Sequence, residues 1–333
     1  MNIYTQIKNA NTHNLDKNAL SMNMDSGEIT KITYSTLFQK VEKTSSEISQ
    51  LGLTPGDKVA IIAENSPEWV ITYLALAKIN CTSVLIDAGL SKNETNQLLA
   101  TSDVVLAVIS PKILEKMDFQ DGDLALVNIY NMNTPFEGYS SLLKRSEQAL
   151  ANRDETIANI IFSSGTTRKA AGIMHTHESM IRSTEMCLNE INMRKDEERF
   201  LSLIPSSHIY GIICTLIGPL LIGAEIRFVE TLTRNGILAI FAEYKPTIFP
   251  AVPKMLELFS SQIQRKISSD KKTKVLFDIF FPICYFLRKH FNINLGKTLF
   301  KSVHEGFGGA LDIICTAGAR LTRKLPIFIL AVV

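Results

Sequence analysis

The feature that most constrains the fold is the alternation of short apolar runs with longer amphipathic segments along most of the 333 residues. Apolar or alternating runs of strand length occur at residues 29–34, 58–63, 81–86, 104–109, 125–129, 157–162, 200–205, 225–229 and 246–250. Segments with helical spacing of apolar residues separate most of these runs. Strands that alternate with helices at short spacing are typical of βαβ units. The sequence therefore predicts an α/β protein with a largely parallel sheet.

Capping and turn residues predict where several helices begin and end. Ser35 is expected to cap a helix that stops near Gly52, because serine favours the N-cap and glycine the position after the C-cap. Ser66 followed by Pro67 is expected to begin the next helix in the same way. Residues 131–139 are predicted to form a loop.

Composition and charge exclude several classes of protein. Hydrophobic residues make up 46% and charged residues 20%, as in folded globular proteins. A net charge of +2 gives no support for nucleic-acid binding. Residues 1–13 lack the apolar core of a secretory signal, and the five cysteines contain no C-x-x-C pair. The expected location is the cytoplasm, with the cysteines as buried free thiols.

Two long apolar runs, residues 209–224 and 275–287, raise the question of membrane contact. Both are shorter than the ~20 residues that a membrane-spanning helix needs. They are predicted to be buried core segments, and contact of the second run with a membrane surface is the alternative. The basic stretch 271–274 is either solvated or a segment that approaches an anionic membrane or coenzyme A phosphates.

The segment 160–177 carries the clearest chemical signal. An apolar run at 157–162 leads into small hydroxyl residues around Gly165, and Gly172 follows. Such a loop after a strand can wrap an anion, because hydroxyls and free backbone N–H groups can point at phosphate oxygens. Its spacing differs from the Gly-x-x-x-x-Gly-Lys-Ser/Thr phosphate loop. A Ser/Thr-rich turn between two strands is the alternative.

Five motifs, in the expected order, resemble those of the AMP-forming acyl-CoA synthetases in the adenylate-forming superfamily. They occupy residues 32–69, 161–177, 203–211, 245–253 and 316–319. The second is similar to the phosphate loop S-S-G-T-T-G-x-P-K-G-V, the third to P-x-x-H-x-x-G and the last to S-G-G-A. Residues 259–303 most resemble the long-chain fatty-acid members. The resemblance implies the incomplete large N-terminal domain of the adenylate-forming fold, with stacked β-sheets flanked by helices and two α/β subdomains near 45–190 and 200–321.

This resemblance also implies a two-step reaction and a set of site residues. A carboxylic acid, expected to be a fatty acid, attacks the α-phosphate of Mg-ATP, and coenzyme A then displaces AMP from the acyl-adenylate. ATP, Mg²⁺ and CoA are thus the implied cofactors. His208 is implied to position the carboxylate and the α-phosphate, Gly318 and Ala319 to contact adenine, and Tyr210 and Gly211 to line an acyl pocket. The implied phosphate-binding residues are Ser163, Ser164, Gly165, Thr166, Thr167 and Gly172.

The chain departs from the family pattern at several positions. Arg168 stands where the family has glycine, Ala171 where it has lysine, and Arg320 where it has proline. The Y-G-x-T-E motif expected soon after Leu321, whose glutamate helps to bind Mg²⁺, does not occur. The ribose-binding aspartate, the hinge and the small C-terminal domain with its catalytic lysine do not occur either.

These departures lead us to expect a C-terminally truncated synthetase. The isolated chain is expected to catalyse no ATP–pyrophosphate exchange with fatty acids. The alternatives are a non-catalytic protein that binds a nucleotide, an acyl chain or a partner, and one part of a split enzyme. His175 and His177 have a spacing that suits metal ligation, but no third ligand cluster accompanies them, so no metal site is predicted.

Overall fold

The computed structural model of the chain describes residues 1–24, 26–117, 124–135, 143, 147–163, 171–191, 197–229, 234–269, 271–291, 293 and 295–321. The chain forms two compact units. Unit 1 comprises Met1–Glu197 and Pro205–Glu230, and unit 2 comprises Glu198–Ile204 and Thr231–Val333. Each unit contains both helices and strands.

Unit 1 contains most of the secondary structure. Its helices are α1 Ile3–Ala10, α2 Tyr34–Gln50, α3 Pro67–Lys78, α4 Lys92–Thr101, α5 Pro111–Leu114, α6 Glu147–Ala151, α7 His177–Asn189, α8 Ile209–Ile212 and α9 Gly218–Leu221, with a π-helical turn Ile213–Ile217 between the last two. Its strands are β1 Asn18–Asn23, β2 Ile29–Thr33, β3 Lys58–Ile62, β4 Thr82–Leu85, β5 Leu106–Ile109, β6 Ala125–Asn128, β7 Asn131–Pro135, β8 Ile157–Phe162, β9 Gly172–Thr176 and β11 Glu225–Val229.

The main sheet of unit 1 has the order β7-β6-β5-β3-β4-β8-β9. The pairs among β3, β4, β5, β6 and β8 are parallel, whereas β7 and β9 pair antiparallel at the two edges. Elsewhere in unit 1, β1 pairs parallel with β11 and antiparallel with β2. The predicted α/β class with a largely parallel sheet is confirmed. Parallel strands end at the same edge of a sheet, so the loops that follow β3, β4, β5 and β8 leave from one edge.

Helix α3 is part of the core of unit 1. It contacts β3 and β4 of the main sheet and also β1. Its sequence is apolar on all sides, which is typical of a helix buried on more than one face. Trp69 and Tyr73 are fully buried and stack with ring centroids 5.6 Å apart. The Asn159 side-chain amide donates a hydrogen bond of 3.0 Å to the Tyr73 hydroxyl, which gives that buried oxygen a partner.

The described part of unit 2 contains three parallel strands, β10 Arg199–Leu201, β12 Ile248–Ala251 and β13 Ile313–Thr316, in the order β13-β12-β10. Its described helices are α10 Arg234–Tyr244, α11 Pro253–Ser268, α12 Lys271–Phe291, α13 Gly296–Leu299 and α14 Lys301–Gly306. The core is aromatic. The Phe241 ring lies edge-on to Phe249 at 5.0 Å and to Phe307 at 5.3 Å, and both pairs add to the energy of simple burial.

Several local predictions need correction. The helix after β2 begins at Tyr34 and is capped by Thr33, whose hydroxyl accepts from the backbone N–H of Thr36, so Ser35 is not its cap. Residues 131–135 form strand β7 rather than a loop, and 136–139 lie outside the described residues. The strand predicted at 200–205 is the shorter β10. The predicted start of α3, with Ser66 as its N-cap and Pro67 in its first turn, is confirmed.

Burial was predicted for both apolar runs and for the cysteines, and the structure confirms it for only some of them. Residues 209–221 lie within α8, the π-helical turn and α9, and are largely buried, as predicted. Residues 275–287 lie within α12 and expose several large apolar side chains, so the prediction of a buried core segment is wrong there. Cys81 and Cys284 are buried free thiols, but Cys187 is exposed. Over the described part of the chain, no helix has both the length and the apolarity needed to cross a bilayer.

Candidate active site

The loops after β4 and β8 lie side by side at the carboxyl edge of the main sheet. Leu85 of β4 is paired with Ile161 of β8 in the parallel register. Asp87 and Ser163 each follow those partners by two residues, so they leave the sheet at the same level. Clefts outside the carboxyl ends of parallel strands are the usual place for ligands in open α/β sheets.

A histidine–aspartate pair lies at this edge. The Nε2 atom of His208 is 3.0 Å from Oδ2 of Asp87. Because an ionised carboxylate can only accept, Nε2–H is the donor, and Nδ1 is the basic nitrogen of the neutral ring. The His208 side chain is 48% exposed and that of Asp87 24%, so the ring is open to a ligand while its carboxylate partner is more enclosed.

The hydrogen bond between His208 and Asp87 shifts the pKa of both groups. The hydrogen bond from His208 is the largest influence on Asp87 and holds the pKa of that carboxyl below its usual range; burial opposes this, and the N–H of Gly89 and the hydroxyl of Ser207 assist it. The same hydrogen bond raises the pKa of His208 against the opposing effect of burial. At neutral pH, Asp87 is therefore ionised, and a larger fraction of His208 is protonated than for a free histidine.

Backbone contacts hold the segment that carries His208. The backbone N–H of Ser206 donates to Oδ1 of Asn65, which follows β3, at 2.8 Å. Oδ1 of Asp87 accepts from the backbone N–H of Gly89 at 2.6 Å, which orients the carboxylate toward the ring. His208 itself has extended backbone angles at the N-cap position of α8, and its carbonyl accepts from the N–H of Ile212. The ring is thus presented by a helix start tied to the loops after β3 and β4.

Only the ends of the predicted phosphate loop are described. Ser164, Gly165, Thr166 and Thr167 lie outside the described residues. Ser163 is exposed, and its backbone N–H donates to the carbonyl of Ala171 at 3.0 Å, which closes the base of the loop. Gly172 is also exposed and begins β9 opposite Phe162. The hairpin β8–β9 therefore brings both ends of the hydroxyl-rich segment together beside Asp87.

Gly172 lies close to two side chains of β8, which leave little room for a Cβ atom. A Cβ atom at this position would lie 2.8 Å from Cγ2 of Ile160 and 3.3 Å from the Phe162 ring. We expect Gly172→Ala to destabilise unit 1 by about 1–3 kcal/mol, because overpacking forces side chains from their preferred rotamers. Urea unfolding followed by the fluorescence of Trp69, the single tryptophan, measures this. In an Ile160→Ala background the added cost should shrink, and an undiminished cost would contradict the steric explanation.

The other predicted site residues have distinct settings. Tyr210 is half-buried and Gly211 buried on α8, and the carbonyl of Gly211 accepts from the Thr215 hydroxyl at 2.8 Å. In unit 2, Gly318 and Ala319 follow β13 and are exposed. Gly318 has φ +89°, a conformation that favours glycine. Apart from its two neighbours in the chain, no described residue has an atom within 4 Å of the position that a Cβ atom would occupy, so the space beside it is open.

Sequence reasoning missed Asp87, Ser207 and Asn65 as site residues. One signal pointed to Asp87: it is a charged residue directly after a buried strand that a parallel sheet was expected to contain. Its partner could not be identified from the sequence, because Asp87 and His208 are far apart in the chain and meet only in the folded structure.

His177 is a structural histidine at the start of α7. It is buried, and its Nδ1 accepts from the backbone N–H of Ile3 at 3.5 Å. Burial first, and the nearby N-terminal ammonium second, lower its pKa to about 4. Within the described ranges, no three His, Cys, Asp or Glu side chains gather as metal ligands.

The low pKa of His177 predicts a pH-dependent stability. The unfolded chain takes up a proton below about pH 6.5 whereas the folded chain does so only near pH 4, so stability is lost as pH falls through this window. The expected contribution of this histidine is at most about 3 kcal/mol. Urea unfolding of the wild type and of His177→Gln between these pH values tests it, with His13→Gln as an exposed control. The substitution at His177 should flatten the dependence, and an unchanged slope would contradict this assignment.

Several known proteins resemble this chain in sequence. A crotonobetaine/carnitine–CoA ligase of Escherichia coli O17:K52:H18 is 27% identical over 259 residues, which are 74% of this chain and 50% of that protein. The corresponding ligase of Shigella sonnei is 26% identical over the same length. The chain thus spans about half the length of the curated relatives it matches.

Solved structures share the fold. The inhibitor-bound N-terminal domain of FACL13 from Mycobacterium tuberculosis has a TM-score of 0.71 at 18% identity, covering 98% of this chain and 73% of that one. The N-terminal subdomain of NpsA from Klebsiella oxytoca has a TM-score of 0.69 at 16% identity, covering 99% and 70%. O-succinylbenzoate coenzyme A synthetase from Bacillus subtilis, solved with AMP, has a TM-score of 0.61 at 17% identity, covering 77% and 64%.

The solved structures confirm the predicted fold. The preference for long-chain fatty acids stays a prediction. The family model for AMP-binding enzymes matches residues 7–333. That match includes the hydroxyl-rich segment between β8 and β9 and also His208. The chain therefore belongs to the family of AMP-binding enzymes.

Proposed function

We propose that the chain takes part in the ATP-dependent activation of a carboxylic acid to an acyl-adenylate, with transfer to coenzyme A as the step that follows. The observation that carries the proposal is the His208–Asp87 pair, at the sheet edge from which the segment 163–172 leaves. The curated relatives are named as CoA ligases, which supports the thiol as the final acceptor.

The first step joins two anions, the carboxylate and ATP, which repel each other. The proposed residues reduce that repulsion. A carboxylate oxygen forms a bond to the α-phosphorus of ATP, the bond from that phosphorus to the bridging oxygen breaks, and pyrophosphate leaves. Positive charge and fixed donors lower the repulsion and stabilise the transition state. His208, with its pKa raised by Asp87, supplies a positive donor where the two anions meet. Donation from Nε2 to Asp87 directs the Nδ1 side of the ring toward the reactants.

The remaining site residues complete this proposal. The hydroxyls of Ser163, Ser164, Thr166 and Thr167, with the backbone at Gly165 and Gly172, hold the departing pyrophosphate. Gly318 and Ala319 contact adenine, and Tyr210 and Gly211 line the acyl site. An apolar acyl site on the buried segment from α8 to α9 favours a fatty acid as the substrate class.

ATP brings Mg²⁺ in most phosphoryl and nucleotidyl transfers, usually held by one or two carboxylates and the phosphates themselves. Bound in this way, the ion would neutralise phosphate charge as pyrophosphate leaves. The described residues contain no cluster of three acidic, histidine or cysteine side chains.

A second candidate function is nucleotide or acyl binding without turnover. Ala171 favours it, because a methyl group stands where the family motif has a lysine that would neutralise phosphate charge. Its carbonyl is engaged by Ser163, so the backbone of the loop is closed although the charge is missing.

One pair of measurements tests the proposal and separates the two candidates. Calorimetric titration of the chain with ATP and with a hydrolysis-resistant fatty acyl-adenylate analogue should show binding of both, with the analogue bound more tightly because it occupies the nucleotide and acyl sites together. ATP–pyrophosphate exchange above that of a His208→Ala control would show turnover and favour the first candidate, whereas binding of both ligands without exchange would favour the second. Failure of the folded chain to bind either ligand would overturn both candidates.

A further inference from the structure

Helix α12 has two apolar faces, and the described residues cover only one of them. Phe277 and Phe281 face inward, and the Phe277 ring lies 5.1 Å from Phe300 at the end of α13. Cys284 is buried in the same cluster. A second set of large apolar side chains on α12 is between 45% and 58% exposed. We call this set the α12 stripe, and its members are Val275, Leu276, Ile279, Ile283 and Phe286.

The α12 stripe is one continuous surface. Its members are spaced one, three, four and three residues apart along the helix. At the rotation of an α-helix, this spacing places all of them within an arc of about 100°, the width of the apolar face of an amphipathic helix. Phe291 and Ile293, exposed just beyond, extend the apolar surface.

Basic residues lie at both ends of the α12 stripe. Lys271, Lys272 and Lys274 are exposed in the first turn, and the last turn contains Arg288 and Lys289. Residues 265–301 contain nine lysines and arginines but only two aspartates, while the whole chain has a net charge of only +2. Net positive charge is therefore concentrated in the segment of the chain that contains α12.

We propose that the α12 stripe and its flanking basic residues bind the surface of an anionic phospholipid bilayer, with α12 lying in the plane of the membrane. An in-plane helix inserts its apolar face at the level of the headgroups, while lysine and arginine side chains reach the lipid phosphates. Basic residues near an anionic surface add to this binding in proportion to their number.

Charge also decides against a second copy of the chain as the occupant. In a twofold pair each patch meets a copy of itself. Because both ends of α12 are basic, parallel and antiparallel pairing both bring like charges together. An anionic bilayer is complementary to the apolar stripe and to both ends.

Flotation of the full chain with lipid vesicles tests the proposal independently of any acid activation. We expect binding to vesicles of phosphatidylcholine mixed with phosphatidylglycerol, little binding to phosphatidylcholine alone, and weaker binding as salt rises. Ile279→Ser combined with Ile283→Ser should reduce the bound fraction at least tenfold. Lys271→Glu combined with Lys272→Glu and Lys274→Glu should abolish the preference for the anionic vesicles. Met186→Ser combined with Leu150→Ser, which changes exposed apolar residues elsewhere, should bind as the wild type does.

These variants need a control for folding. Circular dichroism of each variant shows whether helix content is kept, and the two independent sets of substitutions guard against a misfolded variant. No binding to anionic vesicles, or equal binding by the serine and control variants, would overturn the proposal. A dimer that sedimentation detects in the wild type, and that the serine variant loses, would assign the α12 stripe to a second copy instead.

Discussion

Replacing His208 with alanine is expected to weaken binding of a hydrolysis-resistant acyl-adenylate analogue about tenfold to hundredfold. The change removes one charge-assisted hydrogen bond, whose net worth is about 1.5–3 kcal/mol. It leaves the core of unit 1 intact, because the ring is 48% exposed. Titration calorimetry measures the affinity, and His13→Ala is the matched control, since it removes an exposed histidine from the turn after α1.

The Asp87 carboxylate should govern how this binding depends on pH. Asp87 holds the pKa of His208 above its usual value of 6.5, so the protonated ring persists to higher pH. Affinity for the anionic analogue should fall as pH rises through the pKa of His208, and Asp87→Asn should move that fall to lower pH. Asp87 has a lowered pKa and stays ionised throughout this range. The imidazole signals of His208 in NMR titrations report the same shift directly, without any ligand.

A double-mutant cycle separates an orienting role for Asp87 from an independent one. If Asp87 acts only through His208, Asp87→Ala should cost little in a His208→Ala background. Additive losses would mean that Asp87 contacts the ligand itself. Wild-type affinity in His208→Ala would place the ligand elsewhere and remove the main support for the proposed function.

Substituting alanine for Gly308 is expected to destabilise unit 2 by about 4 kcal/mol or more, since overpacking and backbone strain both contribute. Gly308 has φ +76°, and a Cβ atom there would lie 2.0 Å from the carbonyl oxygen of Phe241 and 2.9 Å from Cα of Lys245. Both atoms belong to the backbone at the end of α10, so no side-chain rotation can relieve the overlap. The contact between α14 and α10, and with it the Phe241–Phe307 ring pair, should be lost.

Gly309 provides a matched control for this substitution. It has φ +72°, but apart from its two chain neighbours no described residue has an atom within 4 Å of its Cβ position. Gly309→Ala should therefore show only the conformational cost, about 1–2 kcal/mol. Hydrogen exchange of peptides that cover α10, β12 and β13 measures local opening in unit 2. Equal effects at the two glycines would mean that backbone conformation, and not the Phe241 carbonyl, decides the outcome.

Sequence reasoning succeeded where structure depends on neighbours along the chain. The strand predicted at 157–162 has the same bounds as β8, because its apolar run ends at a change to hydroxyl residues. Ser66 and Pro67 were sufficient to identify the start of α3, since capping is a contact over three residues. The short strand β7 was missed because Asn131 and Asn133 have weak strand propensity, and pairing with β6 stabilises the strand nonetheless.

The same reasoning failed where two apolar faces share one helix. Residues 275–287 look like core because apolar side chains surround the helix. Which face is covered depends on where α11 and α13 pack, and that is not a property of the helix itself. The sequence could indicate only that membrane contact was an alternative.

What the sequence determined by itself was the α/β alternation, the hydroxyl-rich segment after β8 and the family to which its motifs belong, because each is written in residues close together in the chain. The tertiary structure alone decided that Asp87 is the partner of His208 and that the α12 stripe faces outward. The physical reason is that hydrogen bonding and burial depend on distances in space. Residues far apart in sequence reach those distances only when the strand order and the packing of helices are set.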